Sequence, residues 1–455
     1  MRKLYTLLFL CLLFSSSCKD LVNIDYPTNQ IGTAQVFEDV QTANSALAGL
    51  YADLRDQSII TGGNYHGAGA LLASYTDDLD CYFNDQSGVL DIYQNQQQET
   101  NTEITTIWKT AYKQIYYANL IIYGAYKSTA LSDIDKNRIK GEAVIIRSLI
   151  YFYLQQLFGD IPYTTSLDYE YNRTIHKTNG ETLLTLLEID LKEASNLLKD
   201  DYRDAERIFP NRKVAQLLLA RIYLLQGEWS KAEKMADAIL QSPLYQFQTD
   251  INEVFHKSGT HILWQLQPEN SGDATWEESF YYFSDAAPYS YALTSDMVNS
   301  FAGNDLRKQT WITGVTYNGD NWYRPNKYKN LSGTNFNEYS IVLRLEEVYF
   351  IMAEALARQN RFDEALPYLN ATRERAGLNP ITSLSGENFY TELLAEKRRE
   401  FFCESGHRFL DLKRLGKLDE LITLKPNWED YKRVWPLPQS EMLLNSYLSP
   451  QNSGY

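Results

Sequence analysis

Apolar side chains recur at intervals of three and four along most of this chain, and that period limits what it can fold into. Val36, Phe37, Val40, Ala43, Ala46, Leu47, Leu50, Tyr51 and Leu54 fall on one face of a helix over 36–54. Ile107, Trp108, Ala111, Tyr112, Ile115, Tyr116, Asn119 and Ile122 repeat the pattern within 104–126, and segments 140–158, 182–198 and 213–225 continue it. No run of comparable length alternates as a half-buried strand does. The predicted fold is therefore all-α.

Two segments carry the small-residue spacing of tetratricopeptide hairpins, in which small side chains sit where two helices cross closely. In the first, Leu219, Ala220 and Tyr223 precede a turn at Gly227 and Glu228, and Ala232 and Ala236 follow. In the second, Met352, Ala353 and Leu356 precede a turn near Asn360, followed by Ala365 and Leu369. The step from Ala220 to Ala232 equals that from Ala353 to Ala365. Because the hairpins are far apart, they are expected inside a larger body, not as a tandem solenoid. Between them, 252–337 is rich in Gly, Asn, Asp, Ser and aromatic residues, and a shorter patch of the same kind spans 61–98. Long irregular insertions on a rigid scaffold carry function, so the ligand site is expected there.

The N-terminus reads as an export signal over 1–17: Arg2 and Lys3 precede a nearly unbroken apolar run from Leu4 to Phe14, too short to span a bilayer. Ser15, Ser16 and Ser17 then lead into Cys18, small residues before a thiol, as lipoprotein processing requires. Cys18 is the expected lipidation site, and 18–32, with Pro27 and no period, the tether. The remaining body, 33–455, divides into a helical part (about 33–250), a loop-rich insertion (about 251–338) and a second helical part (about 339–455). Cys81 and Cys403 are too few and too far apart to be a disulfide framework. Cys403, in the helical stretch 396–404, is expected as a small buried hydrophobe.

With 43 basic against 58 acidic residues and no basic face, the chain is not built for nucleic acid or for attraction to anionic lipid. His66, His176, His256, His261 and His407 fall in no metal-ligand spacing. No nucleophile elbow or phosphate-cradling glycine loop is present either. No catalytic set, cofactor or metal is expected. The 34 Tyr and 8 Trp exceed what a core alone requires, and rings that join an apolar face to a polar handle suit sugar or peptide binding.

Six segments, in order, resemble the SusD/RagB nutrient-binding lipoproteins of Gram-negative outer membranes. They are QVFEDVQTANSALAGLYAD (35–53), WKTAYKQIYYAN (108–119), GEAVIIRSLIYFYLQQLFGDIP (141–162), 341–377 with its RLEEVYFIMAEA run and RERAG ending, EKRREFFCESGHRFLDLKR (396–414) and 434–455. The resemblance implies about four tetratricopeptide-like pairs packed against an irregular, loop-rich ligand-binding half. It further implies a lipid-anchored protein on the outer face of the outer membrane, which binds oligosaccharides or peptides and passes them to a SusC-type TonB-dependent transporter. The motif charges (Glu142, Arg147, Arg344, Glu347, Glu354, Arg398, Glu400, Glu404, Arg408 and Asp411) lie on otherwise apolar helices, where paired charges fix how helices seat.

Within the first insertion, SYTDDLDCYFND (74–85) offers Asp77, Asp78 and Asp80 to accept hydroxyl groups and Tyr82, Phe83 and Tyr93 as stacking faces. The second offers Trp276, Tyr281 and Tyr282, and, in DNWYRPNKY, Asn321, Trp322, Tyr323 and Arg324, whose guanidinium can hold a carboxylate bidentately. Trp311 is a further ring of this insertion, with a core position as its other reading, and Trp264, with its apolar neighbours, is expected in the core. Two other functions fit parts of the chain: a lipid-anchored glycoside hydrolase, which needs two carboxylates facing one cleft, and a tetratricopeptide-like scaffold that binds protein alone.

Overall fold

Each long helix in the first half begins where an Asp, Asn or Ser side chain can accept from the first unpaired backbone N–H groups. Asp39 caps α1 (Val40–Gln57), Asn101 caps α3 (Thr102–Lys127), Ser132 caps α4 (Asp133–Phe158), Asn179 caps α5 (Gly180–Leu197) and Asn211 caps α6 (Arg212–Gln226). No side chain caps α2 (Ala68–Tyr75), α7 (Trp229–Leu240), α8 (Leu345–Arg358), α9 (Phe362–Arg375), α10 (Gly386–Phe401) or α11 (His407–Arg414). The structure, a computed structural model, describes residues 33–61, 67–84 and 88–455. The signal segment, Cys18, the tether, His66 and Asp85 lie outside these residues.

The helices pack in chain order: α1 on α3, α3 on α4, α4 on α5, α5 on α6, α6 on α7, α7 on α8 and α8 on α9. Taken two by two, α1/α3, α4/α5, α6/α7 and α8/α9 make four helical pairs. The small residues do what their spacing predicts, since Ala220, Ala232, Ala353 and Ala365 are wholly buried where the helices cross. The turns between these helices need left-handed backbone, supplied by Gly227 (φ 72°) and Asn360 (φ 61°). α4 is buried on every side from Gly141 to Leu154, and one continuous apolar core runs from Phe37 to Leu448.

The insertions form the irregular half, which also contains short strands that no periodicity announced. Among the described residues these make three antiparallel pairs: β1 (Leu79–Cys81) with β3 (Tyr291–Leu293), β2 (Ile262–Leu266) with β6 (Ser340–Arg344), and β4 (Ile312–Tyr317) with β5 (Asp320–Pro325). β4 and β5 turn through Asn318 and Gly319, both at positive φ, as a two-residue hairpin demands. The β1–β3 pairing joins the first insertion to the second. Cys403 is buried as expected but lies outside the helix, which ends at Phe401; its φ is +57° in the turn to α11.

The motif charges pair across helices. Arg147 donates to Asn119 and Asp190, Arg221 holds Glu347, Arg414 holds Glu354, and Lys397 meets Asp411 at 2.6 Å. Arg344, Arg375 and Arg307 surround Glu400. His407 is buried in this region, stacked on Phe401 at 4.2 Å. Burial pushes its imidazole down to about 4; Glu347 and Asp411 pull it up, and Arg221 and Lys397 push it further down. The unfolded chain, with an ordinary imidazole near 6.5, binds the proton first as pH falls. Stability attributable to His407 is therefore present above pH 6.5 and lost as pH drops towards 4, by about 3 kcal/mol in full. Urea unfolding at pH 7, 5.5 and 4 should show this loss, and His407→Gln should flatten the profile between the first two.

Candidate functional site

The two insertions meet through strand parity. In the β1–β3 ladder Leu79, Cys81, Tyr291 and Leu293 point towards the core, while Asp80 and Ala292, paired across the ladder, are on the other face, where Ala292 is buried in a small second apolar cluster. Tyr82, two residues past Asp80, shares the outward face; its N–H donates to the Ser290 carbonyl at 2.8 Å, which extends the pairing. On this face the half-buried Trp322 of β5 packs on Phe283, Ala292 and Val315. It lies beside Tyr82: burial and the Asp80 charge raise the Tyr82 phenol's pKa, and the nearby Trp322 indole lowers it. Tyr82 stays 38% exposed. Asp80 accepts from the Tyr93 hydroxyl at 2.9 Å, and burial and Asp80 together raise the Tyr93 pKa strongly.

Arg324 shares the Trp322 side of the β4–β5 hairpin, being two residues away on the same strand. Its guanidinium lies 4.7 Å from the Tyr282 ring centre and 3.9 Å from Glu278, and is itself buried. Burial lifts the Glu278 carboxyl to about 8, with Arg324 pulling it down, so Glu278 is largely neutral at pH 7. Arg324 therefore stiffens Tyr282 from behind. Its Nε and Nη1 are buried and make no hydrogen bond.

The structure takes several other expected site residues out of the site. Asp77 accepts from both arms of Arg408 at 2.8 and 2.7 Å and lies 3.2 Å from Arg398. Asp78 accepts from Arg398 at 2.7 Å and is fully buried. Both are anchors, because a carboxylate neutralised by buried guanidinium groups cannot turn outwards without leaving them bare. Arg398 and Arg408 hold the Asp77 carboxyl below the usual range despite its burial, whereas burial raises Asp78. Tyr281 is core, 4% exposed. Asn321 and Tyr323 are on the opposite side of the hairpin from Trp322 and Arg324; Asn321 accepts from Thr316, and the Tyr323 ring lies beside Gly314. Trp276 is half-buried against Phe280, with 5.9 Å between ring centres. Phe83 packs edge-on to Tyr291 at 5.3 Å and supports the ladder from the core side. Trp264 is core, as expected, and Trp311 is core as well.

What remains together is one surface: Asp80, Tyr82, Tyr93, Tyr282 and Trp322, with Phe83 and Arg324 behind it. It offers ring faces and a few polar handles, which is a binding chemistry. Sequence reasoning missed Lys425, whose buried ammonium lies 3.8 Å from the Tyr93 ring centre and donates to the Ser74 and Tyr93 carbonyls. Burial lowers it to about 8, with Asp80 and Asp77 pulling upward. Nothing local marks it, since its partners lie in the first insertion. Among the described residues no three His, Cys, Asp or Glu side chains gather as a metal site, and no helix is long and apolar enough to cross a membrane.

Known proteins match at the level of family and fold. Residues 34–224 match a family described as starch-binding associating with outer membrane, and 273–432 match the SusD family. A SusD-like protein of Formosa agariphila is 24% identical, covering 99% of each chain. The crystal structure of a SusD superfamily protein from Bacteroides vulgatus superposes with a TM-score of 0.79 at 21% identity, over 92% of this chain and 100% of that one. Surface glycan-binding protein A from Bacteroides thetaiotaomicron, in complex with laminarihexaose, gives 0.75 at 18% identity, over 90% and 99%.

If Asp77 anchors the first insertion, Asp77→Asn leaves the largely buried Arg408 without its carboxylate and takes one of three from Arg398, and should cost about 3–5 kcal/mol. Thermal unfolding measures it. An Asp77→Asn chain as stable as the parent would return Asp77 to the list of ligand groups.

Proposed function

This chain belongs to the SusD/RagB family, and we propose that it is a lipid-anchored protein of the outer-membrane surface that captures an oligosaccharide. In this reading Cys18 carries the lipid, the outward rings of Tyr82, Tyr282 and Trp322 take the C–H face of a sugar, and Asp80 and the tyrosine hydroxyls take its hydroxyl groups. The ligand then passes to a SusC-type TonB-dependent transporter, the partner implied by the family.

The observation that carries the reading is the meeting of two insertions, far apart in sequence, on one outward face where Tyr82 and Trp322 lie side by side. The glycan held by a relative of the same fold supports a sugar over a peptide. Capture without a covalent step is favoured by the fate of the acids at this surface. Asp77 and Asp78 are bound by arginines and Asp80 by Tyr93, and a glycosidase needs a pair facing one cleft.

Titration calorimetry of the purified chain against neutral oligosaccharides, laminarihexaose first, tests this. Trp322→Ala and Tyr82→Ala should each weaken binding about tenfold, the size of one lost stacking contact, with thermal stability nearly unchanged for the exposed Tyr82. Parental affinity in both variants would remove the site from this surface. For the anchor, Cys18→Ser should shift the chain from the outer-membrane fraction to the soluble fraction, read by fractionation and immunoblot.

A further inference from the structure

The Tyr82–Trp322 surface accounts for only part of the aromatic excess. A second concentration of rings borders a cavity of about 760 Å³ between α3, the segment 162–175 and the C-terminal stretch 441–448. We infer that this cavity is a second site for a neutral oligosaccharide. The inference shares with the proposed function only the class of ligand, and the cavity has no residue in common with the other surface.

The cavity is built, not incidental. Its three walls come from distant parts of the chain and are joined by hydrogen bonds. Tyr112 donates to the Pro162 carbonyl at 2.8 Å, the Asn119 amide to the Thr164 carbonyl at 3.0 Å, and the Asn445 amide to the Ile175 carbonyl at 2.9 Å. Asn119 is fixed in turn from the core side by Arg147 at 2.7 Å. A pocket pinned in this way loses little freedom on binding, and its volume falls within the roughly 300–1,000 Å³ of small-molecule sites.

The lining specifies the ligand. At the mouth Tyr116 and Tyr169 are 42% and 73% exposed, each with a ring face and a hydroxyl, and Leu444 is 77% exposed. Inside, the Trp108 and Tyr112 rings lie 4.8 Å apart. Each charged side chain of the lining has a partner: Lys109 faces Glu441 at 3.6 Å, and Arg173 holds Glu170, just outside the lining, at 3.1 Å. A charged ligand meets no unmatched charge here, so the site favours a neutral one. Its walls are helices and a pinned loop with no strand edge, which denies an extended peptide its backbone ladder. A ligand with apolar C–H faces and a rim of neutral hydroxyls matches both the rings and the balanced charges.

The test is titration calorimetry of the full-length chain with laminarihexaose, cellohexaose and maltohexaose, with trigalacturonate and an alanine-rich hexapeptide as contrasts. A neutral hexasaccharide should bind at two classes of site. The double variant Tyr116→Ala/Tyr169→Ala should weaken one class at least about tenfold and spare the other, which Trp322→Ala weakens instead. Tyr169→Trp, which keeps a ring face, should retain the first class. These positions are exposed, so an unchanged thermal transition separates lost binding from lost fold. The inference is overturned if only one class exists and the double variant leaves it intact, if trigalacturonate or the peptide alone binds, or if no hexasaccharide binds. Should the double variant abolish binding while Trp322→Ala and Tyr82→Ala do nothing, the cavity stands as a site and the Tyr82–Trp322 surface falls.

Discussion

Arg307, Arg344 and Arg375 meet around Glu400 with almost no contact with water, and the rest of the structure is seated on that meeting. Arg344 comes from the end of β6, Arg375 from α9 and Glu400 from α10, while Arg307 also holds Asp305 at 2.9 Å and Glu396 at 2.7 Å. The three guanidinium groups hold the Glu400 carboxyl far below the usual carboxylate range, against the upward push of burial. Taking each charge out of water costs several kcal/mol, which is offset only when every partner is in place. A shift of one helix by a turn would leave a bare charge in the interior, at about 3–5 kcal/mol. The apolar core supplies the stability of the fold, and the charges select one seating of its helices.

The same device ties the irregular half to the helical half. Lys327, two residues beyond β5, donates to the Glu400 carbonyl at the end of α10 and to the Phe402 carbonyl and Glu404 in the turn that follows. Arg398, on α10, holds Asp77, Asp78 and Asp296, and so grips both insertions at once. Short strands such as β1 and β3, three residues each, are too small to be stable alone. They persist because their ends are fixed by charges on a rigid helix. The Tyr82–Trp322 surface therefore inherits the order of the scaffold, and ligand binding there does not have to order the loops first.

The helices were legible because their signal is local. Periodicity placed the major ones, and the small residues at Ala220, Ala232, Ala353 and Ala365 marked two crossings that proved tight. The acids of the first insertion were misread for the converse reason. A run such as Asp77, Asp78 and Asp80 looks alike whether it faces water or arginine, and Asp78 meets Arg398 across 320 residues of sequence. In Asn321–Trp322–Tyr323–Arg324, neighbours in sequence suggested one cluster, yet in a hairpin they alternate between two faces. The cavity beside α3 was hidden altogether, because each wall is an ordinary stretch and only folding brings the three together.

The short strands and the charges at their ends give the insertions their logic. In 77–82 the first two residues bind arginines inside, and Asp80 and Tyr82 stand outside two and four residues after Asp78. In 322–327 Trp322 packs over Ala292, Arg324 stiffens Tyr282 from behind, and Lys327 fixes the strand to the end of α10 and the turn after it. Anchor and display are thus a few residues apart in the chain, the anchors Asp77, Asp78 and Lys327 lying just beyond the ends of the strands. Replacing an outward ring changes what the surface can hold without exposing a buried charge, whereas replacing an anchor disturbs the surface and the helices behind it together. The result is a fixed scaffold whose outward side chains are free to specialise.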